Sequence, residues 1–253
     1  MSRLLPPVLA EQRVDLALNT PLVATPAFTE AVNLASAVAA LNEIVLFDGP
    51  AGTGKTTAAR YVANACRRPC AVVTIPEKHS PLTLLRLVHT GVTGTDHLGS
   101  QYQITNDLLK ALRLWCGVLI IDEMHLCGVT GLQTLVYLFE QTQRAFAVFI
   151  VGTGVAAAVA QYANMQTRVF ATVDFEPLLH RELAAIVGKM DPRLAATPDH
   201  VLKGHDDRTC SGLLRRWANT VKWLDVLEVQ DGPVDTETLK QIGTFMRTKR
   251  IIK

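Results

Sequence analysis

Nearly continuous apolar runs at 44–47, 70–75, 117–121 and 147–151 are separated by stretches in which apolar residues return every three or four positions. The runs predict strands buried on both faces, and the stretches between them predict helices. Thr25-Pro26 opens a helix ending near Leu41, Lys55 to Arg67 forms a second, and Ser80-Pro81 opens a third with proline at its first position. A loop over 91–101 leads to a helix over 106–116, and Leu132, Leu135, Leu138 and Phe139 share one face of a helix over 130–143. Val169, Ala171, Val173 and Phe175 alternate as a last strand. Strands and helices in alternation predict an α/β fold whose parallel sheet is covered on both faces.

Past Phe175 the strand pattern ends. Helical periodicity at 178–188, 210–226 and 235–247, with Pro192, Pro198 and Pro233 in the connections, predicts a small helical domain. The expected organisation is a proline-broken leader over 1–24, an α/β core over 25–176, and a helical region with a basic tail over 177–253.

With 49% apolar and 19% charged residues among 253, the chain can bury a core and falls outside the disordered classes. A formal net charge of +2 excludes a protein that coats DNA through bulk charge, so any nucleic-acid contact has to be local. The five cysteines, Cys66, Cys70, Cys116, Cys127 and Cys210, contain no C-x-x-C pair and read as free thiols in a reducing cytoplasm. Mean hydropathy is +0.20, and the uncharged stretch 145–167 is long enough to tempt a transmembrane reading. Gly152-Thr153-Gly154 interrupts it and Gln161, Asn164 and Gln166 fill its second half, so it divides into a strand and an alanine-rich helix. Pro6-Pro7, followed by Glu11 and Arg13, makes a poor signal peptide, and a cytoplasmic protein without membrane attachment is expected.

Gly49-Pro50-Ala51-Gly52-Thr53-Gly54-Lys55-Thr56 is a complete G-x-x-x-x-G-K-[ST] P-loop between a buried strand and a helix. Its glycines let backbone N–H groups turn toward phosphate oxygens, and the helix N-terminus favours negative charge. Lys55 reaches the β- and γ-phosphates and Thr56 ligates magnesium, with Thr57 completing the nucleotide-binding set. A second buried strand delivers Asp122 and Glu123 at its carboxyl end. Asp122 fits the magnesium shell and Glu123 fits polarisation of the attacking water, the two tasks that phosphoryl transfer to water requires. Met124 and His125 extend the pair to the D-E-x-H box of helicases, but two-lobed helicases need a second nucleotide-binding fold that this length does not accommodate. His125 either links the acidic pair to a neighbouring group or is a satisfied loop histidine.

The P-loop, the acidic pair, a strand ending in Val151-Gly152-Thr153-Gly154 and an arginine-bearing helical appendage make the chain resemble an AAA+ ATPase. Over residues 20–225 it is similar, more narrowly, to the transposition regulators TniB, TnsC and Mu phage B protein, and to ExeA-type ATPases. The resemblance implies a three-layer P-loop sandwich with a small helical lid, and ATP with Mg2+ as cofactor. It implies a first-sensor role near the γ-phosphate for Thr153, which as bare sequence reads equally well as a helix N-cap. Arg168, closing Gln166-Thr167-Arg168, matches the arginine finger that enters the next subunit's nucleotide; the alternative is a surface charge. Ser211-Gly212-Leu213-Leu214-Arg215-Arg216 resembles the second-sensor motif, with Leu214 where family members often carry proline. Arg215 is the expected sensor and Arg216 the next candidate.

For DNA, the resemblance points to Lys78 and His79 after the second strand and to Thr105 in the polar Tyr102-Gln103-Ile104-Thr105 segment. One lysine per subunit gains weight when repeated around a ring or filament of about six or seven subunits, because every neutralised phosphate steepens the salt dependence. The implied function is an oligomeric, ATP-dependent regulator of transposition that binds double-stranded DNA, selects targets and recruits a transposase or integrase, with hydrolysis driving disassembly. An ATP-switched scaffold, a helicase loader or an ExeA-like ATPase unconnected with transposition is the competing expectation.

Overall fold

The computed structural model describes residues 14–15, 20–77 and 80–247, so Lys78, His79 and the basic tail lie outside the described residues. In chain order the elements are β1 (Val14–Asp15), β2 (Thr20–Pro21), α1 (Pro26–Leu41), β3 (Ile44–Asp48), α2 (Lys55–Ala65), β4 (Cys70–Thr74), α3 (Pro81–Thr93), α4 (Gln101–Trp115), β5 (Val118–Asp122), α5 (Gly128–Gln141), β6 (Ala147–Gly152), α6 (Val155–Ala160), α7 (Ala163–Gln166) and β7 (Val169–Asp174). They continue as α8 (His180–Val187), α9 (Pro192–Ala196), α10 (Asp199–His205), α11 (Leu214–Val226) and α12 (Thr236–Arg247).

β1 and β2 pair antiparallel. The other strands form one parallel sheet in the order β4-β5-β6-β3-β7. Successive side chains of a strand point to opposite faces. Leu46, Ile121 and Ile150 therefore face one helical layer, where they pack with Leu84 of α3, Leu108 of α4 and Leu135 of α5. On the opposite face Phe47 meets Phe149 edge to face at 5.6 Å, and Ala35 of α1 and Val62 of α2 line a small cavity with Val118 and Phe149. Both faces are covered, which is why these strands read as continuous apolar runs.

The described chain falls into two compact units. One comprises 27–49 and 55–175; the other comprises 14–15, 20–26, 50–54 and 176–247. The second, helical unit has its own core, in which Leu183, Leu194, Leu202, Trp217, Leu224 and Leu239 are buried.

Several expectations shift. α4 begins at Gln101, not near 106, because Ser100 and Gln103 form a capping box, so the polar Tyr102 to Thr105 segment lies in the helix's first turns, and the loop expected over 91–101 is shortened because α3 runs on to Thr93. α11 begins at Leu214, not near 210, because a π-turn over Asp206–Cys210 runs into Ser211 and Gly212, whose φ values of 52° and 70° leave the right-handed helix. The short helices α9 and α10 have too few residues for a periodic signal; α9 is set by Asp191, whose carboxylate accepts the Arg193 N–H, and by Pro192 in the first turn. The stretch 145–167 resolves into β6, α6 and α7, and among the described residues no helix is long and apolar enough to cross a membrane. All five cysteines are free.

Candidate nucleotide site

β3 ends at Asp48, β5 at Asp122 and β6 at Gly152, so three strands deliver the chain's chemistry to the carboxyl edge of one sheet. β3 lies at the switch point: the chain leaves it for β4 at the far edge, and β7 later takes its other side. Open α/β sheets bind ligands beyond the strand ends at such points.

Gly49 follows β3 with φ 141°, and a Cβ there would stand 2.2 Å from the Phe175 carbonyl oxygen, so no other residue fits. Positive φ at Gly52 and Gly54, 89° and 102°, is the backbone geometry in which successive N–H groups converge on an anion. The buried Thr53 hydroxyl donates to the Pro50 carbonyl at 2.9 Å and fixes the turn. Lys55 is buried, and its ammonium donates to the Gly49 carbonyl at 2.6 Å, curled over the loop it follows. Thr56 and Thr57 stand in the first turn of α2.

Asp122 is buried and accepts the Glu123 N–H at 2.9 Å. Glu123 has φ 58° and ψ 31°, a left-handed backbone that non-glycine residues seldom adopt outside functional or tight-turn positions. Its Oε2 lies 3.4 Å from His125 Nδ1, and the Thr153 N–H is aimed at the same nitrogen, also at 3.4 Å. Neutral His125 with its proton on Nε2 accepts from Thr153; with a proton on Nδ1 it donates to Glu123 instead. Either way His125 links the acidic turn to the end of β6.

Thr153 is exposed, and it does not cap α6. The N-cap is Gly154, which offers no side-chain bond, while the Val155 and Ala156 N–H groups donate to the Asp48 carboxylate at 3.2 and 3.3 Å. Converging N–H groups, a buried ammonium, the Thr56 hydroxyl and a buried carboxylate form a hard-oxygen and cationic set that fits a nucleoside triphosphate with Mg2+.

Residues 41–158 match the family described as AAA domain. Cdc6p from Pyrobaculum aerophilum is similar in structure over 94% of this chain and 72% of its own, with TM-score 0.71 and 12% identity. RuvB, the Holliday junction branch migration motor of Thermotoga maritima, matches over 88% of this chain and 70% of its own, with TM-score 0.56 and 17% identity. A Walker-type ATPase of Pyrococcus abyssi matches over 84% and 69%, with TM-score 0.59 and 11% identity. This is an AAA+ fold. Among curated proteins none matches the chain.

In the AAA+ core, Arg168 precedes β7 and so stands at the amino edge of the sheet, opposite the edge that carries Lys55, Asp122 and Glu123. The six residues of β7 separate those edges by about 20 Å. Arg168 Nε pairs with Glu140 Oε1 at 3.0 Å and its Nη1 donates to Thr167 Oγ1 at 2.6 Å. Arg168 and Glu140, with Tyr137, Gln133 and Asn164, line a cavity of about 260 Å³. Sequence reading missed Glu140, a half-buried acid near the end of α5 that nothing local distinguishes.

Within the helical unit, the Arg215 N–H donates to the Gly52 carbonyl at 3.0 Å, and Arg215 is exposed beside that turn. Arg216 turns the other way, its Nη1 donating to the Thr209 carbonyl at 2.8 Å. Leu214, in the position expected for proline, packs against Gly54. Buried Asp206, another residue the sequence reading missed, accepts the Gly212 N–H at 2.8 Å and the Trp217 indole N–H at 2.9 Å, fixing where α11 starts. Thr105 lies in the first turn of α4, its hydroxyl donating to the Gln101 carbonyl at 2.8 Å.

Proposed function

We propose that this protein is a magnesium-dependent ATPase of the AAA+ class that assembles on double-stranded DNA as an ATP-stabilised homo-oligomer and regulates transposition by selecting targets and recruiting a transposase or integrase. The observation that carries the ATPase reading is the shared sheet edge: a glycine loop under buried Lys55 at one strand end, and buried Asp122 beside left-handed Glu123 at another. Lys55 and the loop N–H groups bind the phosphates, and Thr56 with Asp122 would hold Mg2+, which neutralises phosphate charge when bound. Glu123 orients the water and takes its proton. Thr153 contacts the γ-phosphate. Arg215 reaches the phosphates of its own chain, beside the Gly52 turn that its N–H already meets. Arg168, on the opposite sheet edge from its own P-loop, acts on a neighbouring subunit's nucleotide, which makes turnover depend on assembly.

The RuvB likeness, to a branch migration motor, supports the DNA part of the reading. The transposition part rests on the sequence resemblance of the P-loop, acidic pair, Gly152-Thr153-Gly154 and lid. Sedimentation with duplex DNA, Mg2+ and a slowly hydrolysed ATP analogue tests assembly: wild type should sediment as an oligomer and Lys55→Ala as a monomer. A wild-type monomer under those conditions refutes the proposal. The loader or scaffold alternative is favoured by one contact, Arg168 already engaged by Glu140 of its own chain. An ATP-dependent oligomer that leaves target strand transfer by an integrase-type transposase unchanged would establish that alternative.

A further inference from the structure

We infer that Asp48 is a positioning residue that ties the phosphate-binding loop to the sensor loop and thereby lets the protein distinguish ATP from ADP. The inference deepens the nucleotide-binding reading above and rests on it. Asp48 closes β3 and is part-buried. Its Oδ1 accepts the Gly49 N–H at 2.8 Å and the Val155 N–H at 3.2 Å, while its Oδ2 accepts the Ala156 N–H at 3.3 Å. Gly49 opens the P-loop, and Val155 and Ala156 open α6 directly after Thr153-Gly154.

The first N–H groups of a helix have no partner inside it, and Gly154 at the N-cap supplies no side chain. A carboxylate more than a hundred residues earlier in the chain does so instead. Capping alone would need only those two bonds; the third, to Gly49, makes one carboxylate common to the loop that grips phosphate and the turn that carries Thr153. Strand pairing reinforces the link, because Asp48 lies opposite Gly152 in the β3–β6 ladder. The far side of the same turn is anchored by the Thr153 N–H on His125. A shift of the loop on filling with a third phosphate therefore drags the segment that holds Thr153, and Asp48 is the mechanical connection. Without its carboxylate the loop still grips the α- and β-phosphates, but Thr153 is no longer held at the γ position.

The test compares affinities for a slowly hydrolysed ATP analogue and for ADP, both with Mg2+, by calorimetry on the full chain. The variants are Asp48→Ala, Asp48→Asn, Thr153→Ala and the double variant Asp48→Ala/Thr153→Ala. Asp48→Ala is expected to lose about tenfold in preference for the ATP analogue, the value of one charge-assisted hydrogen bond, while ADP affinity stays within about twofold. Asp48→Asn keeps one acceptor oxygen and turns an amide N–H toward Ala156, so it loses part of that preference. Thr153→Ala should add nothing in the Asp48→Ala background, since both changes remove the same contact. A lower melting temperature with both nucleotides weakened equally marks Asp48 as a plain helix cap and overturns the inference, as do additive effects in the double variant. Should Asp48→Ala fail to fold, an unchanged preference in Asp48→Asn overturns it equally. Wild-type protein that binds neither nucleotide defeats the nucleotide reading itself, whereas wild-type binding with an unaltered preference in the variants defeats only the role of Asp48.

Discussion

Glu123 combines an acidic side chain with a left-handed backbone, φ 58° and ψ 31°, and a contact to His125. Holding a non-glycine residue there costs about 1–2 kcal/mol, a cost the buried strand β5 and the Asp122 bond to its N–H sustain. Glu123→Gln keeps the size and removes the base, so ATP should still bind while turnover falls about 10²–10⁴-fold in a phosphate-release assay. At the same scale His205 reports on the helical unit. It is fully buried, edge-on to Trp217 at 5.2 Å and 3.0 Å from Thr220 Oγ1. Burial, then the charges of Arg208 and Arg247, push its pKa from 6.5 down to about 4. Between those values the unfolded chain binds the proton and the folded one does not, so the contribution is complete above pH 6.5 and is lost as pH falls through about 4. The loss amounts to about 3 kcal/mol. Melting temperatures of wild type should drop across that window, and His205→Gln should flatten the dependence.

Among the elements, α9 shows how a short helix persists. Five residues cannot hold a helix in water, and Arg193 supplies the anchorage: it pairs with buried Asp191 at 2.7 Å, with Asp225 of α11 at 2.5 Å, and donates to the Val229 carbonyl at 3.1 Å. Arg193→Met leaves Asp191 buried without its partner and should lower unfolding stability by about 3 kcal/mol in urea titrations, with less loss when Asp191→Asn accompanies it. β3 to β6 were legible because continuous apolar runs need no long-range information, β7 because its apolar residues alternate, α3 because Ser80-Pro81 is a local start signal, and α5 because its apolar stripe repeats locally. The early start of α4 was readable in principle, since Ser100 and Gln103 stand in capping-box spacing. α9, α10 and the π-turn were not: their shape depends on partners such as Asp225 and Trp217 many residues away.

At the scale of the molecule, the parallel sheet puts the P-loop and acidic pair on one edge and Arg168 on the other. No single chain can bring Arg168 to its own nucleotide without dismantling β7. Arg168→Ala should therefore leave nucleotide affinity intact and lower turnover of the DNA-bound assembly about 10³-fold. Mixing Arg168→Ala with Glu123→Gln subunits should restore part of that turnover, because the intact acid of one variant meets the intact arginine of the other. No recovery on mixing would return Arg168 to the role its Glu140 pairing already gives it, an ion pair of its own chain.

The sequence by itself determined the five strands of the parallel sheet, the P-loop and the acidic pair, each a contiguous pattern whose physics is complete within a few residues: continuous or alternating apolar positions, positive φ at glycine, an acid at a strand end. Tertiary structure decided the rest. That Asp48 caps α6, that His125 meets Thr153, that Arg215 and not Arg216 lies beside Gly52, and that Arg168 stands on the far edge all follow from strand order and from hydrogen bonds between distant segments. Polar groups buried by folding must find partners wherever the fold puts them, and which partner is near is a property of the folded sheet, written in no local stretch of the chain.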